Sequence, residues 1–318
     1  MLVTLGETAL GLSPPGAGRL ERADRLDVQA SGAESNAGVV ARRLGEPVTW
    51  LSRLPDSPLG RRVASELRGY DLDVRVSWGG GRQGLTFHER GGPPRGDDRV
   101  DDRTGAAAAS LSMDDLPLEP VERADVAYVT GATPALSNDL AGATARFLKT
   151  ANDAGATTAF SLEYRPWLWP GPDAARETLT GFFPAVDVFV AREADVETVL
   201  DRSGSPAELT HGLAAEWGFE YVLLTRERTC VVYHDATVHE YPNPTVDAVD
   251  TTGRAAAFAG AFLATHRAGS DPTGALKTAV AARALAATIP GSVPTLTRSE
   301  IERVAGGIES GGDADRTR

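Results

Sequence analysis

An α/β fold, in which a mostly parallel sheet is covered by helices on both faces, is the architecture that the sequence predicts. Short apolar runs alternate with helical patterns through most of the 318 residues, and this alternation is typical of βαβ units. Two stretches, at residues 9–32 and 74–104, interrupt the alternation with prolines, glycines and short strand-like pieces. We expect both to leave the main sheet and to form a small β lid on a single domain of residues 1–305.

The individual elements follow from the apolar periodicity. The predicted strands are Leu2–Leu5, Val48–Leu51, Val126–Thr130, Thr158–Leu162, Val186–Ala191 and Tyr221–Thr225. The predicted helices are Asn36–Leu44, Gly60–Leu67, Asn138–Ala154, Glu193–Leu200, Ala207–Trp217 and the alanine-rich pair Ala255–His266 and Thr273–Thr288. Glycines and charges dominate residues 306–318, which are therefore predicted to be a disordered tail.

Composition excludes several classes of function. The net charge of −12 argues against a nucleic-acid partner, which requires a basic surface. The sequence has no apolar run near the length of a membrane span and no secretory signal pattern, so we expect a cytoplasmic protein without a membrane partner. Cys230 lies in a strand-like run and is predicted to be a buried thiol. Lys149 and Lys277 are the only lysines, and together with the acid excess this favours a salt-adapted, halophilic source.

Polar residues follow the first strands in a pattern that suits a small hydroxylated ligand. Gly32 precedes a predicted helix, where the absence of a side chain lets the backbone approach a ligand. Glu34 and Asn36 place acceptor and donor groups at the start of that helix, and Glu7 follows the first strand. These residues are candidates for binding a substrate.

The stretch Ser31-Gly-Ala-Glu-Ser-Asn36 resembles the amino-terminal signature of the PfkB carbohydrate kinases, in the form typical of 2-keto-3-deoxygluconate kinases. Further matches, in the same order and reaching about Glu302, are Thr86-Phe-His-Glu-Arg90, Asp102-Arg103, Thr130–Leu136 and Tyr164–Trp169. The resemblance implies a ribokinase-like three-layer α/β/α sandwich with a small β lid that pairs subunits into a homodimer. It also implies a sugar acid as substrate, with ATP and Mg²⁺ as cofactors.

The same resemblance assigns Arg103 and Arg165 to the substrate carboxylate, a role suited to the bidentate guanidinium group. A surface ion pair is the alternative for either arginine alone. Glu163 stands where the family usually has asparagine, so the sugar specificity is left open. The substrate-binding candidates are therefore Glu7, Gly32, Glu34, Asn36, Arg103, Glu163 and Arg165.

The segment that carries phosphoryl transfer in the family is altered here. Active members read Asp-Thr-Thr-Gly-Ala-Gly-Asp, in which backbone N–H groups at a helix start bind the phosphate and the last aspartate takes the proton of the attacking hydroxyl. Asp250 and Gly253 match this run, but Arg254 and Ala255 replace Ala-Gly and Ala256 replaces the aspartate. Loss of a positioned general base costs roughly 10²- to 10⁴-fold in rate. Ala255 also adds a β-carbon where we expect a positive φ.

The nucleotide side of the site departs from the family as well. Arg192 and Asp195 stand in place of the family's Asn-x-x-Glu, the loop after the next strand contains Thr225 and Arg226 without the usual glycine, and Val280 aligns with a common asparagine. We therefore expect these candidate nucleotide-binding positions to be degenerate and ATP binding to be weak.

The remaining signals predict no further site. The histidines show neither i,i+4 pairing nor cysteine partners, so no metal site is expected. Trp167 and Trp169 could stack on a sugar, but their flanking prolines favour anchoring of a loop onto the core.

Three hypotheses follow. The first is a degenerate kinase that binds a sugar acid with weak or no phosphotransfer. The second is an active sugar-acid kinase that uses a substitute base, for which Glu163 is the candidate. The third is a non-catalytic interaction protein that dimerises through the lid.

Overall fold

The computed structural model describes residues 1–91, 94–115 and 117–308. Its strands are β1 Leu2–Leu5, β2 Ala9–Ser13, β3 Asp27–Ser31, β4 Val48–Pro55, β5 Asp73–Gly79, β6 Leu85–Glu89, β7 Asp98–Asp102, β8 Val126–Thr130, β9 Thr157–Ser161, β10 Val188–Arg192, β11 Tyr221–Thr225, β12 Thr229–His234 and β13 Thr237–Pro242. Its helices are α1 Ala33–Arg43, α2 Pro58–Gly69, α3 Leu118–Glu122, α4 Asn138–Asp153, α5 Pro172–Thr180, α6 Glu193–Asp195, α7 Pro206–Trp217, α8 Arg254–Arg267, α9 Pro272–Ala286 and α10 Arg298–Gly306.

Nine of these strands form the main sheet, in the order β13-β12-β11-β10-β9-β8-β1-β4-β5. The pairs from β5 to β11 are parallel, and β12 and β13 add an antiparallel edge. Leu2 of β1 pairs with Val48 on one side and Val126 on the other. Later strands of the chain therefore lie on both sides of β1, and the strand order reverses there. Ligands of such sheets bind beyond the carboxyl ends of the strands near this reversal.

Helices cover both faces of the main sheet, which confirms the predicted three-layer α/β/α sandwich. Trp50, Phe258 and Phe262 are fully buried in the core under α1, α8 and α9. On the opposite face Phe147 and Phe183 lie in a second core under α4, α5 and α7. Strands buried on both faces read as continuous apolar runs, which explains why the predictions for β1, β8 and β11 match the observed bounds.

The four remaining strands form a separate small sheet in the order β3-β2-β6-β7, called the lid sheet below. It arises from the two stretches that interrupted the predicted alternation. The second stretch was predicted to begin at residue 74, and this is wrong for its first residues. Residues 73–79 form β5, which pairs with β4 at the edge of the main sheet. Half-exposed residues in β5 weaken its apolar signal.

The carboxyl end is ordered further than predicted. The predicted tail starts at Gly306, but this residue completes α10, which begins with a capping box between Thr297 and Glu300. Ile308 is buried against the first core, so the prediction is wrong for residues 306–308. Residues 309–318, on which the rest of that prediction falls, lie outside the described residues. None of the described helices has both the length and the apolar character needed to cross a membrane.

Candidate active site

A cleft of about 590 Å³ lies where several strands of the main sheet end, beside the lid sheet. Residues that close or follow β9, β10 and β11 line it together with the starts of α1 and α8. The predicted site residues that line it are Gly32, Asn36, Arg103, Glu163, Arg165, Arg192, Thr225, Gly253, Arg254, Ala255 and Ala256. The parallel strand order thus brings the candidate residues for the sugar acid and for phosphate to one cavity at the end of the main sheet.

The lining of the cleft is strongly positive. Six arginines line it, namely Arg99, Arg103, Arg165, Arg192, Arg254 and Arg283, whereas Glu163 is the one carboxylate among its described lining residues. A donor set of this kind suits anionic ligands.

Two of these arginines attach the lid sheet to the cleft. Arg103 donates to Glu7 at 2.6 Å and to Asp101 at 3.1 Å, and Arg99 also donates to Asp101. Burial would raise the pKa of Asp101, but the charges of Arg103 and Arg99 hold it below its usual range. Glu7 therefore lies behind Arg103, where it orients the guanidinium group.

Glu163 and Arg165 form a further ion pair in the cleft. Glu163 has a φ of +34°, a left-handed conformation that is uncommon for residues with a β-carbon. Non-glycine residues held in such conformations cluster at functional sites. The carboxylate of Glu163 therefore pairs with Arg165, two residues along the chain, and neutralises its guanidinium group.

Glu34 lies beneath the floor of the cleft and is almost completely buried. Its Oε1 accepts hydrogen bonds from the Thr130 amide at 3.0 Å and from the hydroxyls of Thr130 and Thr133 at 2.8 and 2.6 Å. Burial, with an added contribution from the charge of Glu163, raises its pKa to about 7. Glu34 was predicted to contact the substrate, and that contact would compete with the three hydrogen bonds that its carboxylate accepts inside the protein.

Asn36 faces the cleft from α1. Its amide group donates to the carbonyl of Ser292 at 2.7 Å, whereas its buried Oδ1 has no partner among the described residues. Gly32 precedes α1, and a β-carbon there would lie 2.4 Å from the carbonyl oxygen of Glu7. The close packing of Gly32 keeps the start of α1 at the cleft.

The altered phosphate-binding segment lies at the start of α8. Gly253 precedes the helix without a side-chain cap, and Arg254, Ala255 and Ala256 are its first three residues. Ala255 was expected at a position of positive φ, but it lies inside the helix, so this expectation is wrong. Ala256, the residue at the base position, is buried and lines the cleft with a methyl group.

Asp250 matches the family motif but is not among the residues that line the cleft. Its carboxylate accepts hydrogen bonds from the amides of Thr252 at 2.9 Å and Gly291 at 3.0 Å, and Arg90 lies 3.6 Å away. Asp250 is fully engaged in holding the loop before α8.

The predicted nucleotide positions do not form one group. Arg192 pairs with Asp195 at 2.6 Å, and Arg226 pairs with Glu193 at 2.7 Å. Thr225 lines the cleft, as does Arg192. The predicted role of Val280 is not supported, because this residue is 1% exposed in the core under α9. Its alignment depended on loop lengths that vary.

The family's cofactors, ATP and Mg²⁺, fit these residues poorly. Mg²⁺ in phosphoryl-transfer sites is held by one or two carboxylates together with water and substrate phosphates, and Glu163, the one carboxylate among the described lining residues, is paired with Arg165. Arg192 and Arg226 are neutralised by their own partners.

Among the cleft residues that sequence reasoning did not assign to the site are Arg99, Arg283 and Trp167. Trp167 was expected to anchor a loop on the core, which is wrong, because it is 56% exposed and stacks under Arg99 at 5.7 Å. Trp169 does pack against the second core. Arg283 comes from α9, far from every recognised motif, so no local signal could have found it.

Comparison with known proteins identifies the family. The profile described as pfkB family carbohydrate kinase matches residues 1–298. The chain belongs to this family. The sequence is 44% identical, over 98% of each chain, to the 2-dehydro-3-deoxygalactonokinase of Haloferax volcanii.

Solved structures agree with this membership. The 2-dehydro-3-deoxygluconokinase of Thermotoga maritima superposes with a TM-score of 0.92 at 30% identity, covering 96% of this chain and 98% of its own. A fructokinase of Xylella fastidiosa with bound ATP superposes with a TM-score of 0.84 over 96% of this chain and 98% of its own. At 20% identity the second likeness concerns the fold alone. The predicted ribokinase-like architecture is confirmed.

Proposed function

We propose that this protein binds a 2-keto-3-deoxy sugar acid in the cleft and that its ATP-dependent phosphoryl transfer is weak or absent. The substrate class is supported by the names of its relatives, since 2-dehydro and 2-keto denote the same group. It is also supported by Arg103 and Arg165, two candidate carboxylate-binding side chains on the wall of the cleft.

The buried methyl group of Ala256 carries the proposal of impaired transfer. A hydroxyl that attacks a phosphoryl group must lose its proton to a base within hydrogen-bond reach. Ala256 offers no acceptor, and Glu163, the one carboxylate among the described lining residues, is paired with Arg165. The start of α8 therefore keeps the shape of a phosphate site without the acid–base group.

One observation favours the second candidate, an active kinase that uses Glu163 as base. Glu163 stands where the family usually has asparagine, and its conformation with φ of +34° holds it at the wall of the cleft. A substrate that drew Arg165 away by its own carboxylate would release Glu163 to accept a proton.

Phosphorylation assays separate the two candidates. The assay compares the unmodified protein with the double variant Ala255→Gly and Ala256→Asp. Both receive ATP, Mg²⁺ and either 2-keto-3-deoxygluconate or 2-keto-3-deoxygalactonate, at low and at high KCl. We expect turnover far below about 1 s⁻¹, the low end for natural enzymes, for the unmodified chain and a gain of roughly 10²-fold or more for the double variant.

Glu163→Gln tests the substitute base, with Glu177→Gln on the exposed face of α5 as the matched control. Turnover near 1 s⁻¹ by the unmodified chain that is lost in Glu163→Gln, and kept in Glu177→Gln, would establish the second candidate in place of the first. Absence of binding of either sugar acid by calorimetry would remove both and favour a non-catalytic interaction protein.

A further inference from the structure

Arg254 and Arg283 differ from the other arginines of the cleft. Each of the other four has a carboxylate partner, the pairs being Arg99–Asp101, Arg103–Glu7, Arg165–Glu163 and Arg192–Asp195. Arg254 and Arg283 form no ion pair with any residue in the described ranges, although both face the same cavity. Two guanidinium charges are thus left without a counter-charge at one end of the cleft.

The unpaired guanidinium charges destabilise this end of the cleft when it holds no anion. The Nε of Arg254 is buried and has no hydrogen-bond partner among the described residues. Burial, together with the neighbouring charge of Arg283, lowers the pKa of Arg254. A partly buried charge without a partner costs free energy, and a bound anion between the two arginines would reduce that cost.

The helix that carries Arg254 adds further donors at the same place. Arg254 is the first residue of α8, which is 14 residues long and has no side-chain cap on Gly253. The first N–H groups of a helix lack carbonyl partners within it, and the helix dipole makes this end positive. Backbone donors and two guanidinium groups therefore converge on the phosphate-binding end of the cleft.

We propose that Arg254 and Arg283 bind the phosphate group of an already phosphorylated sugar acid. This inference rests on the proposed function, because the acid end of the same ligand is assigned to Arg103 and Arg165. A phosphate monoester carries a charge of about −1.5 to −2 near neutral pH, which matches two guanidinium groups. The protein then retains the phosphorylated form of the acid in preference to the free acid.

A sugar phosphate fits this site better than the phosphates of a nucleotide. The arginines at the nucleotide side, Arg192 and Arg226, are neutralised by Asp195 and Glu193. The unpaired positive charge is that of Arg254 at the start of α8 and of Arg283 in α9, beside the position from which the family's base acts. A ligand whose phosphate stays on the sugar fills this end without using the nucleotide side.

Calorimetric titration at fixed KCl tests the proposal. The probes are 2-keto-3-deoxygluconate, its 6-phosphate, inorganic phosphate and ATP with Mg²⁺. We expect the 6-phosphate to bind at least tenfold more tightly than both the free acid and inorganic phosphate. Arg254→Ala and Arg283→Ala should each weaken its binding by roughly tenfold to a hundredfold, the value of a charge-assisted hydrogen bond, and change the affinity for the free acid less than twofold.

Arg123→Ala is the matched control, because it removes an exposed arginine at the end of α3 and should change no affinity. Equal binding of the free acid and its 6-phosphate would overturn the inference and leave the proposed function intact. Tighter binding of ATP that is lost in Arg254→Ala would assign the pair to a nucleotide and also overturn it. Binding of inorganic phosphate but of neither acid would remove the sugar acid from both proposals.

Discussion

Glu34 is the residue whose protonation couples the site to the stability of the fold. Burial raises its pKa from 4.5 to about 7, and the carboxylate lies under the cleft between β8 and α1. An acid whose pKa is higher in the folded state binds its proton more tightly there than in the unfolded chain. Its stabilising contribution is therefore complete below pH 4.5 and is lost as the pH rises through 7.

We predict that the free energy of unfolding falls by about 3 kcal/mol as the pH rises from 4.5 to 8, because the pKa of Glu34 is raised in the folded state. Urea unfolding at a series of pH values measures this slope. Glu34→Gln, which cannot ionise, should flatten the slope across this interval. Glu119→Gln on the exposed face of α3 is the control and should leave it unchanged, whereas an unchanged slope in Glu34→Gln would contradict the prediction.

At the scale of elements, the contact between α1 and α8 determines where the cleft residues of both helices lie. Both helices are rich in alanine and glycine, so their backbones approach closely. A β-carbon on Gly260 of α8 would lie 2.2 Å from the carbonyl oxygen of Ala37 in α1. Ala256 and Asn36 reach the cleft from these same two helices, so a shift of one helix displaces the site.

Two glycine-to-alanine changes should therefore have opposite effects. Gly260→Ala forces α1 and α8 apart and should lower the free energy of unfolding by about 1–3 kcal/mol or more. Gly212→Ala lies in α7, where a β-carbon would meet no atom within 4 Å, and should raise it by about 0.5–1 kcal/mol through helix propensity. Thermal or urea unfolding of both variants measures these changes in the free energy of unfolding. Stabilisation by Gly260→Ala would refute the close contact between α1 and α8.

Local pattern was sufficient for the central strands and most helices but not for the lid sheet. β8 and β11 are buried on both faces, so each appears in the sequence as an uninterrupted apolar run with clear ends. The lid strands β3 and β7 are only partly buried and depend on pairing with distant segments, so only their departure from the main alternation was predictable. β5 was missed for the same reason.

The candidate site was predictable wherever a motif lies at a strand end. Gly32, Glu163 and Gly253 each follow a strand or precede a helix whose position the α/β alternation determines. Arg283 faces the cleft only because α9 packs across α8, and the pairing of Arg192 with Asp195 depends on a turn after β10. The first of these contacts is tertiary, whereas the second joins residues only three apart, and neither leaves a periodic signal in the sequence.

At the scale of the whole molecule, the excess of acidic residues opposes the compact state. The net charge of −12 resides on the surface while the cleft itself is positive, so the two regions respond to salt differently. The Debye length falls from about 10 Å at 0.1 M salt to about 3 Å at 1 M. Repulsion among exposed carboxylates is then screened, whereas buried pairs such as Arg103–Glu7 are screened much less.

We therefore predict that the midpoint of thermal unfolding rises as KCl increases from 0.1 to 1 M. A triple variant with Glu122→Gln, Glu197→Gln and Glu227→Gln removes three exposed negative charges and changes the net charge from −12 to −9. Its midpoint should be higher than that of the unmodified protein at low salt and should rise less with KCl, because there is less repulsion to screen. Parallel salt curves for both proteins would instead attribute the effect to general strengthening of apolar burial by salt.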